Sequence, residues 1–217
     1  MNNCKMIIFD LDGTILDTLE DLFLSTNYAL RKSGFPERSK EEVRCFVGNG
    51  IRKLIERAVP EQTPENLINQ VHQDFTEYYA QHCADNTKPY AGIPEVLQKL
   101  RRAGLKTAVV SNKADYAVQT LCADYFPALF DAVAGEREGI RRKPAPDAVL
   151  AVLHDLQIPA EQAIYIGDSD VDIATAENSG IPCISVEWGF SDRAFLIQHG
   201  AQKIISVPEE LLNLIQQ

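Results

Sequence analysis

From residue 90 onward, short apolar runs alternate with longer amphipathic stretches along this 217-residue chain. Short apolar runs bounded by turn residues indicate strands, and apolar residues at helical spacing indicate helices. The pattern predicts strands at 107–110, 132–134, 163–166, 183–186 and 203–205, with helices at 94–103, 114–123, 146–156 and 171–179 and a further helix at the C-terminus.

The chain before residue 90 has a different character. An apolar run over 7–9 predicts a first strand close to the N-terminus. The block that follows has helical spacing and no convincing strand. It predicts one helix over 16–32, a second after the capping-box pair Ser39 and Glu42, and a third that starts at Thr63-Pro64-Glu65.

Helices that alternate with apolar strands over short connections are typical of a parallel sheet covered on both faces. The helical block separates the first strand from the rest of this series. We therefore predict an α/β fold: a doubly wound, Rossmann-like parallel sheet core formed by 1–16 and 90–217. An all-helical cap domain, 17–89, is inserted into it.

Composition and charge narrow the expected partners. The net charge of −10 argues against nucleic acid and against acidic membranes, which require basic surfaces. Five scattered cysteines without a Cys-x-x-Cys pair predict reduced thiols in a cytoplasmic protein, not a disulfide framework or a zinc site. No N-terminal apolar segment is long enough for a signal peptide or a membrane span. The protein is expected to be a monomer or a homodimer.

Polar side chains follow three of the predicted strands. Ligands of open parallel sheets bind beyond the carboxyl ends of the strands, so these side chains are expected to meet at one edge. An acidic capped turn would explain Asp-Leu-Asp alone, but the apolar strand before it and the Gly-Thr after it favour a site. The three segments are Asp10-Leu11-Asp12-Gly13-Thr14, Ser111-Asn112 and Gly167-Asp168-Ser169-Asp170-Val171-Asp172.

A cluster of Asp10, Asp12, Asp168 and Asp172 would require cations. Two like charges about 4 Å apart repel by roughly 4 kcal/mol at an effective dielectric constant of 20. Oxygen ligands suit Mg²⁺, which keeps waters for a substrate phosphate, better than zinc, which prefers His and Cys. Lys143 would supply a second positive charge. The proline that follows it favours extended backbone and fixes the start of the next helix, and this would hold the lysine at the same edge of the sheet.

A phosphate ester fits such a pocket. Ser111 and Asn112 can hydrogen-bond the phosphoryl oxygens, and the N–H groups of a turn at Gly13 can cradle an anion. One aspartate can then attack the phosphorus in line to form an aspartyl-phosphate. A second acid would protonate the leaving oxygen and afterwards take a proton from water.

Four ordered segments resemble the motifs of the haloacid dehalogenase superfamily of phosphatases. Each motif alone is weak to moderate, but all four in order over nearly the whole core are highly specific. The acid at Asp12 argues against the dehalogenase branch, which lacks it. The segments are Asp10-Leu-Asp-Gly-Thr14, Ser111-Asn112, Lys143-Pro-x-Pro146 and Gly167-Asp168-x-x-x-Asp172.

The resemblance assigns roles to these residues. It implies that Asp10 is the nucleophile and Asp12 the general acid and base. Lys143 and Ser111 would orient and neutralise the phosphoryl group, with Gly13, Thr14 and Asn112 as further phosphate contacts. The implied Mg²⁺ ligands are Asp10, the backbone carbonyl of Asp12, and Asp168, with Asp172 as a further or outer carboxylate.

The helical block resembles the four- or five-helix cap of this superfamily. Its segment 45–52 is similar to the substrate-specificity loop of phosphoglycolate phosphatases, and Glu187-Trp188-Gly189-Phe190 also resembles that branch. Candidate substrate contacts are therefore Gly48, Asn49, Gly50 and Arg52.

Other interpretations of this loop are open. A dinucleotide fingerprint would need a preceding strand and a third glycine where Lys53 stands. A plain helix-starting turn at Gly48-Asn49-Gly50 is as well supported as a substrate role. Arg52 could meet a substrate carboxylate or simply lie in solvent.

The predicted function is Mg²⁺-dependent hydrolysis of a small, phosphoglycolate-like phosphate monoester, with the cap closing over the substrate. A phosphomutase of the β-phosphoglucomutase type is the nearest alternative, although 19–30 lacks the histidine of that branch. A pyrophosphatase or nucleotidase would fit the same scaffold. An aspartate-phosphorylated signalling receiver is disfavoured by Asp12 and by the helical insertion.

Overall fold

The computed structural model of the chain describes residues 4–215, with the side chains of 4–213. The described residues fall into two compact units. One, the core unit, contains 4–16 and 89–215. The other, the helical unit, contains 17–88.

The secondary structure alternates as expected after residue 90. In chain order, the strands are β1 (Met6–Phe9), β2 (Leu16–Asp17), β3 (Lys88–Pro89), β4 (Lys106–Ala114), β5 (Ala132–Glu136), β6 (Ala163–Gly167), β7 (Cys183–Val186) and β8 (Ile204–Ile205). The helices are α1 (Leu19–Lys32), α2 (Lys40–Phe46), α3 (Ile51–Ala58), α4 (Glu65–His82), α5 (Ile93–Arg102), α6 (Asp115–Tyr125), α7 (Asp147–Asp155), α8 (Asp170–Ser179), α9 (Arg193–Gln198) and α10 (Glu210–Ile215).

The core unit is built on a six-stranded sheet in the order β5-β4-β1-β6-β7-β8. The neighbouring strands of this sheet run parallel. β1 lies between β4 and β6, with Ile8 opposite Ala108 on one side and Tyr165 on the other. All four residues of β1 are buried, which explains why this strand reads as an uninterrupted apolar run.

Successive residues of β1 face opposite sides of the sheet, and each side has its own core. Ile7 and Phe9 pack in a cluster that includes side chains of α5 and α6. Met6 and Ile8 belong to a second cluster, which includes side chains of α7 and α8. Because helices cover both faces of a parallel sheet, the predicted doubly wound α/β fold is confirmed.

The helical unit has its own apolar core, contributed by helices α1 to α4. Its second helix begins at the predicted capping box. The Glu42 N–H donates to Ser39 Oγ at 3.2 Å, and the Ser39 N–H donates to Glu42 Oε2 at 2.7 Å. These bonds satisfy backbone groups that the first turn of a helix leaves without partners.

The structure differs from the predicted elements in four places, of which the first is that a separate helix, α3, lies between the second and third predicted helices. The helix predicted from residue 16 begins at Leu19, because Leu16–Asp17 forms β2, which pairs with β3 in a separate two-stranded sheet. β4 continues past Val110 to Ala114, with a shift in its register against β5. α9 was not predicted.

Among the described residues, no helix combines the length and the apolar character that crossing a membrane requires.

Candidate active site

The loop after β1 brings two aspartates to the carboxyl end of the sheet. β1 ends at Phe9, although the Asp10 N–H still donates to Ile166 O at 2.9 Å. The loop turns at Gly13, whose φ is +80°. A Cβ at this position would lie 2.3 Å from Asp168 Oδ2, so only glycine allows the loop to pass so close to the carboxylate.

Donors from two other segments hold the carboxylate of Asp168. Thr14 Oγ1 donates to Asp168 Oδ1 at 3.1 Å, and the Phe190 N–H donates to Asp168 Oδ2 at 2.7 Å. Trp188 Nε1 donates to the carbonyl oxygen of Thr14 at 3.0 Å. The segment 188–190, which follows β7, therefore fixes both the first loop and the aspartate after β6.

Lys143 lies between two carboxylates. Its Nζ is 2.9 Å from Asp10 Oδ1 and 2.7 Å from Asp172 Oδ1, and its side chain is 3% exposed. A buried ammonium is stable only when it is paired, and here two acids share it, one from the loop after β1 and one from the first turn of α8. The structure therefore places Lys143 next to Asp10.

Asp172 anchors the surroundings of Lys143. Its Oδ1 pairs with Lys143. Its Oδ2 accepts from the N–H groups of Asp168 and Ser169, at 3.2 and 3.1 Å, and from Ser169 Oγ at 2.6 Å. Ser169 and Asp172 form the capping box of α8. Both oxygens of Asp172 therefore already accept hydrogen bonds from protein groups.

Burial and mutual repulsion disfavour the ionised forms of the clustered acids. Burial raises the pKa of Asp10 to about 7, against the lowering effect of Lys143 and with a further rise from the charge of Asp172. Burial, Asp172 and Asp10 together hold the pKa of Asp168 well above its usual range. Burial lowers the pKa of Lys143, but the charges of Asp10 and Asp172 outweigh it and hold that pKa well above its ordinary value. The cluster is therefore short of positive charge.

Asp10, Asp168 and Asp172 each place a carboxylate oxygen within 4.8 Å of the others. A buried set of oxygen ligands suits a hard divalent cation. Asp172 is the most heavily engaged of the three, with Lys143 on Oδ1 and three donors on Oδ2, whereas each oxygen of Asp168 accepts one bond from an uncharged donor. Asp10 and Asp168 are therefore the better candidates for side-chain ligands.

The end of β4 places Ser111 and Asn112, both buried, at the same edge of the sheet. The Lys143 N–H donates to Asn112 Oδ1 at 2.8 Å, and Asn112 Nδ2 donates to the Lys143 carbonyl at 3.1 Å. Asn112 thus positions the backbone of Lys143, while its predicted contact with phosphate stays a prediction. Ser111 Oγ accepts from the Lys113 N–H at 3.3 Å.

Sequence reasoning missed Lys113. Its Nζ lies 2.8 Å from Asp12 Oδ1, and its side chain is 3% exposed. The signal was its position, two residues after Ser111 on the same extended segment. Period-two alternation in a regular strand would put Ser111 and Lys113 on the same side, although the register of β4 shifts here.

Sequence reasoning also missed Tyr165, a residue of β6 whose hydroxyl contacts Lys143. Lys143 Nζ donates to its hydroxyl at 3.0 Å. Within an apolar strand, this tyrosine read as an ordinary core residue.

The predicted substrate-specificity residues lie in the helical unit. Gly50 is the N-cap of α3, so the helix-starting turn is present. Arg52 forms ion pairs with Glu56 at 2.8 Å and Glu65 at 2.5 Å, and it donates to Asn69 Oδ1. Its guanidinium is already engaged by two acids, and the substrate contacts of Gly48, Asn49, Gly50 and Arg52 stay predictions.

The sequence is similar to those of known hydrolases and phosphatases. A family described as haloacid dehalogenase-like hydrolase matches residues 7–186. The phosphoglycolate phosphatase of Vibrio cholerae is 35% identical over 199 residues, covering 88% of each chain. The N-acetylmuramic acid 6-phosphate phosphatase of Pseudomonas aeruginosa is 30% identical over 214 residues, covering 97% of this chain and 94% of the relative.

Similarity extends to solved structures. A crystal structure from Lactobacillus delbrueckii subsp. bulgaricus, provisionally described as a phosphoglycolate phosphatase, matches with a TM-score of 0.94. It is 39% identical and covers 99% of each chain. The resemblance drawn from the four motifs is confirmed, as is the prediction of an enzyme. This chain belongs to the haloacid dehalogenase-like hydrolases and is a phosphatase of that family.

Proposed function

We propose that the protein hydrolyses a small phosphate monoester, of which phosphoglycolate is the leading candidate, through an aspartyl-phosphate on Asp10. The observation that carries this proposal is the pairing of Lys143 Nζ with Asp10 Oδ1 at 2.9 Å inside the buried cluster. The Leu11 N–H also donates to Oδ1, at 2.7 Å. Both of these donors bind Oδ1, so Oδ2 is the oxygen that we assign to attack on phosphorus.

The residues present fit Mg²⁺, and Asp10, the backbone carbonyl of Asp12, and Asp168 would hold it. When bound, the cation would neutralise charge on the substrate phosphate and on the clustered carboxylates. The fit rests on the all-oxygen character of the cluster and on its shortage of positive charge.

The proposed reaction has two steps. In the first, an Asp10 oxygen forms a bond to phosphorus as the ester P–O bond breaks, and Asp12 gives its proton to the leaving oxygen. In the second, water attacks phosphorus and gives a proton to Asp12 while the bond to Asp10 breaks. Phosphate leaves and both aspartates are restored.

Other residues would bind and orient the phosphoryl group. Lys143 lies beside the attacking carboxylate and would bind a phosphoryl oxygen. Ser111 lies at the same edge and would donate its hydroxyl, and Gly13 and Thr14 would contribute the loop backbone. The helical unit would supply specificity through Gly48, Asn49, Gly50 and Arg52.

The substrate is proposed from the relatives, of which one is named for phosphoglycolate and another for N-acetylmuramic acid 6-phosphate. Both esters carry a carboxylate, but they differ greatly in size. Release of inorganic phosphate should be measured for each, and for a sugar phosphate, with Mg²⁺ and with a chelator. The highest kcat/KM on phosphoglycolate is the expected result.

The mechanism is tested with Asp10→Asn in the same assay. Loss of turnover is expected, because an amide cannot form the acyl phosphate. Covalent labelling of the wild type, trapped by acid quench and absent in Asp10→Asn, would support the intermediate. Phosphate release that persists in Asp10→Asn, or in the presence of the chelator, would falsify the mechanism.

A further inference from the structure

Lys113 is a buried lysine bound to one of the two aspartates of the first loop. Its Nζ lies 2.8 Å from Asp12 Oδ1, and the Asp12 side chain is 15% exposed. A buried ammonium costs free energy unless a carboxylate pairs with it, so this contact constrains both side chains. The two residues are 101 positions apart in the chain and come from different elements of the core unit.

A second lysine makes the corresponding contact with the other aspartate. Lys143 Nζ lies 2.9 Å from Asp10 Oδ1. Each aspartate of the loop is thus bound by its own lysine, one from the end of β4 and one from the segment before α7. Lys143 belongs to the motifs that predicted the site, whereas Lys113 has no role in the proposed reaction as described above.

We propose that Lys113 is a positioning residue for Asp12. By binding Oδ1, it fixes the direction in which the Asp12 carboxylate presents its oxygens to the leaving group. The inference rests on the proposed function, in which Asp12 exchanges a proton with the leaving oxygen and with water. Lys113 acts through Asp12 and does not itself touch the substrate.

The place of Lys113 in the fold suits this role. β4 is the immediate neighbour of β1, and its register shifts between Val110 and Ala114, just where Lys113 lies. The Lys113 N–H also donates to Ser111 Oγ at 3.3 Å. The backbone that carries the ammonium is therefore tied to a residue of the proposed phosphate site. A misplacement of a catalytic group by about 1 Å can cost roughly 100-fold in rate.

The experiment compares two leaving groups. We would measure kcat and KM of Lys113→Met, Lys113→Gln and Asp12→Asn on the best alkyl phosphate and on p-nitrophenyl phosphate. The alkyl ester needs proton donation to its leaving oxygen, and the nitrophenolate hardly does. For Lys113→Met we expect kcat to fall about 100-fold on the alkyl ester and only a few-fold on the aryl ester, with little change in KM.

A double variant and a matched control complete the design. Lys113→Met should add no further loss in an Asp12→Asn background, since both changes remove the same contribution. Lys106→Met removes an ion pair at the other end of β4, where Nζ lies 2.8 Å from Asp131 Oδ1. It should keep wild-type kinetics on both esters.

The outcomes separate the two proposals. Leaving-group dependence in Asp12→Asn but not in Lys113→Met or Lys113→Gln would overturn the role of Lys113 alone. If the kcat loss of Asp12→Asn does not depend on the leaving group, the acid role of Asp12 is overturned. The positioning role of Lys113 is then overturned as well. Equal losses on both esters, or additive losses in the double variant, would show that Lys113 is merely structural. If Lys113→Met does not fold, Lys113→Gln decides the question by the same comparison, because its shorter, uncharged side chain removes the ammonium from Asp12 while staying polar.

Discussion

The hydroxyl of Tyr165 accepts a hydrogen bond from Lys143 Nζ at 3.0 Å, on the buried side of the lysine. The same hydroxyl lies 3.1 Å from the Val110 carbonyl and 3.3 Å from Asp172 Oδ1, to either of which it can donate. It therefore connects the segment that carries Lys143, strand β4 and helix α8 through one oxygen. Tyr165 and Asp172 both bind the ammonium of Lys143. Together they fix its position next to Asp10.

Tyr165→Phe should lower activity by loosening Lys143. Removing the hydroxyl leaves one fewer acceptor for the buried ammonium, and we expect kcat to fall about tenfold and the free energy of unfolding to drop by about 1 kcal/mol. Steady-state kinetics and urea unfolding would measure both. Tyr78→Phe is the control, since Tyr78 stacks on Tyr28 and His82 through its ring and should tolerate loss of its hydroxyl. Identical behaviour of the two variants would contradict this role for Tyr165.

Gly189→Ala should disrupt the site by a steric effect. A Cβ on Gly189 would lie 2.3 Å from the Gly13 carbonyl oxygen and 2.4 Å from Asp168 Cβ. The first loop and Asp168 would have to separate, so we expect activity to fall by about 100-fold and the Mg²⁺ concentration needed for half-maximal activity to rise.

Gly139→Ala is the matched control for this change. A Cβ on Gly139 meets nothing within 4 Å, and its φ of +81° adds only backbone strain of about 1 kcal/mol. It should therefore lose some stability but no Mg²⁺ response. A Gly189→Ala variant with a normal Mg²⁺ titration would show that the close packing does not matter for the site.

The stability of the metal-free protein should fall as the pH rises from about 4 to about 7. The pKa of Asp10 is raised by burial from 3.8 to about 7 in the folded state. Between these values the folded protein keeps a proton that the unfolded chain has lost, so the free energy of unfolding decreases with pH. Urea unfolding in the presence of a chelator should show a decrease on the order of a few kcal/mol across this window.

Two variants test the assignment of this pH dependence. Asp10→Asn should make the slope between pH 4.5 and 7 shallower, because it removes one buried proton, while the raised pKa of Asp168 keeps part of the dependence. Asp131→Asn should leave the slope unchanged. Burial raises the pKa of Asp131, but hydrogen bonds from Lys106 and Thr107 outweigh this and lower that pKa, so Asp131 titrates below the window. An unchanged slope in Asp10→Asn would contradict the prediction.

Arg57→Met should weaken substrate binding if the loop between α2 and α3 contacts the substrate. Arg57 donates to the Phe46 carbonyl at 2.8 Å and to Asn49 Oδ1 at 2.7 Å, so it holds this loop within the helical unit. Without these hydrogen bonds the loop would lose about 1 kcal/mol of stabilisation in its ordered conformation. This loss would raise KM by roughly five- to tenfold with little change in kcat. Lys53→Met, which removes an ion pair with Glu56 on α3, is the control. Equal KM values in the two variants would count against a substrate role for the loop.

The sequence by itself determined the order of elements and the segments that could meet. Short uninterrupted apolar runs and helical spacing are local properties, and they predicted the core strands to within a few residues. The first loop, Ser111-Asn112, Lys143 and Asp168 could be chosen because ligands of parallel sheets bind at the carboxyl ends of the strands. The fold and the family followed from these local signals.

Only the tertiary structure decided which partner each polar atom takes. The sequence predicts Asn112 as a phosphate contact but gives no sign that its amide binds the backbone of Lys143. Tyr165 read as a core residue, yet its hydroxyl supports that lysine, and Lys113 carried no signal beyond its place on an extended strand. Hydrogen bonds and ion pairs between residues far apart in the chain depend on register, on loop conformation and on close approaches such as that of Gly13 to Asp168. No local pattern encodes those distances, because they arise when separate segments pack together.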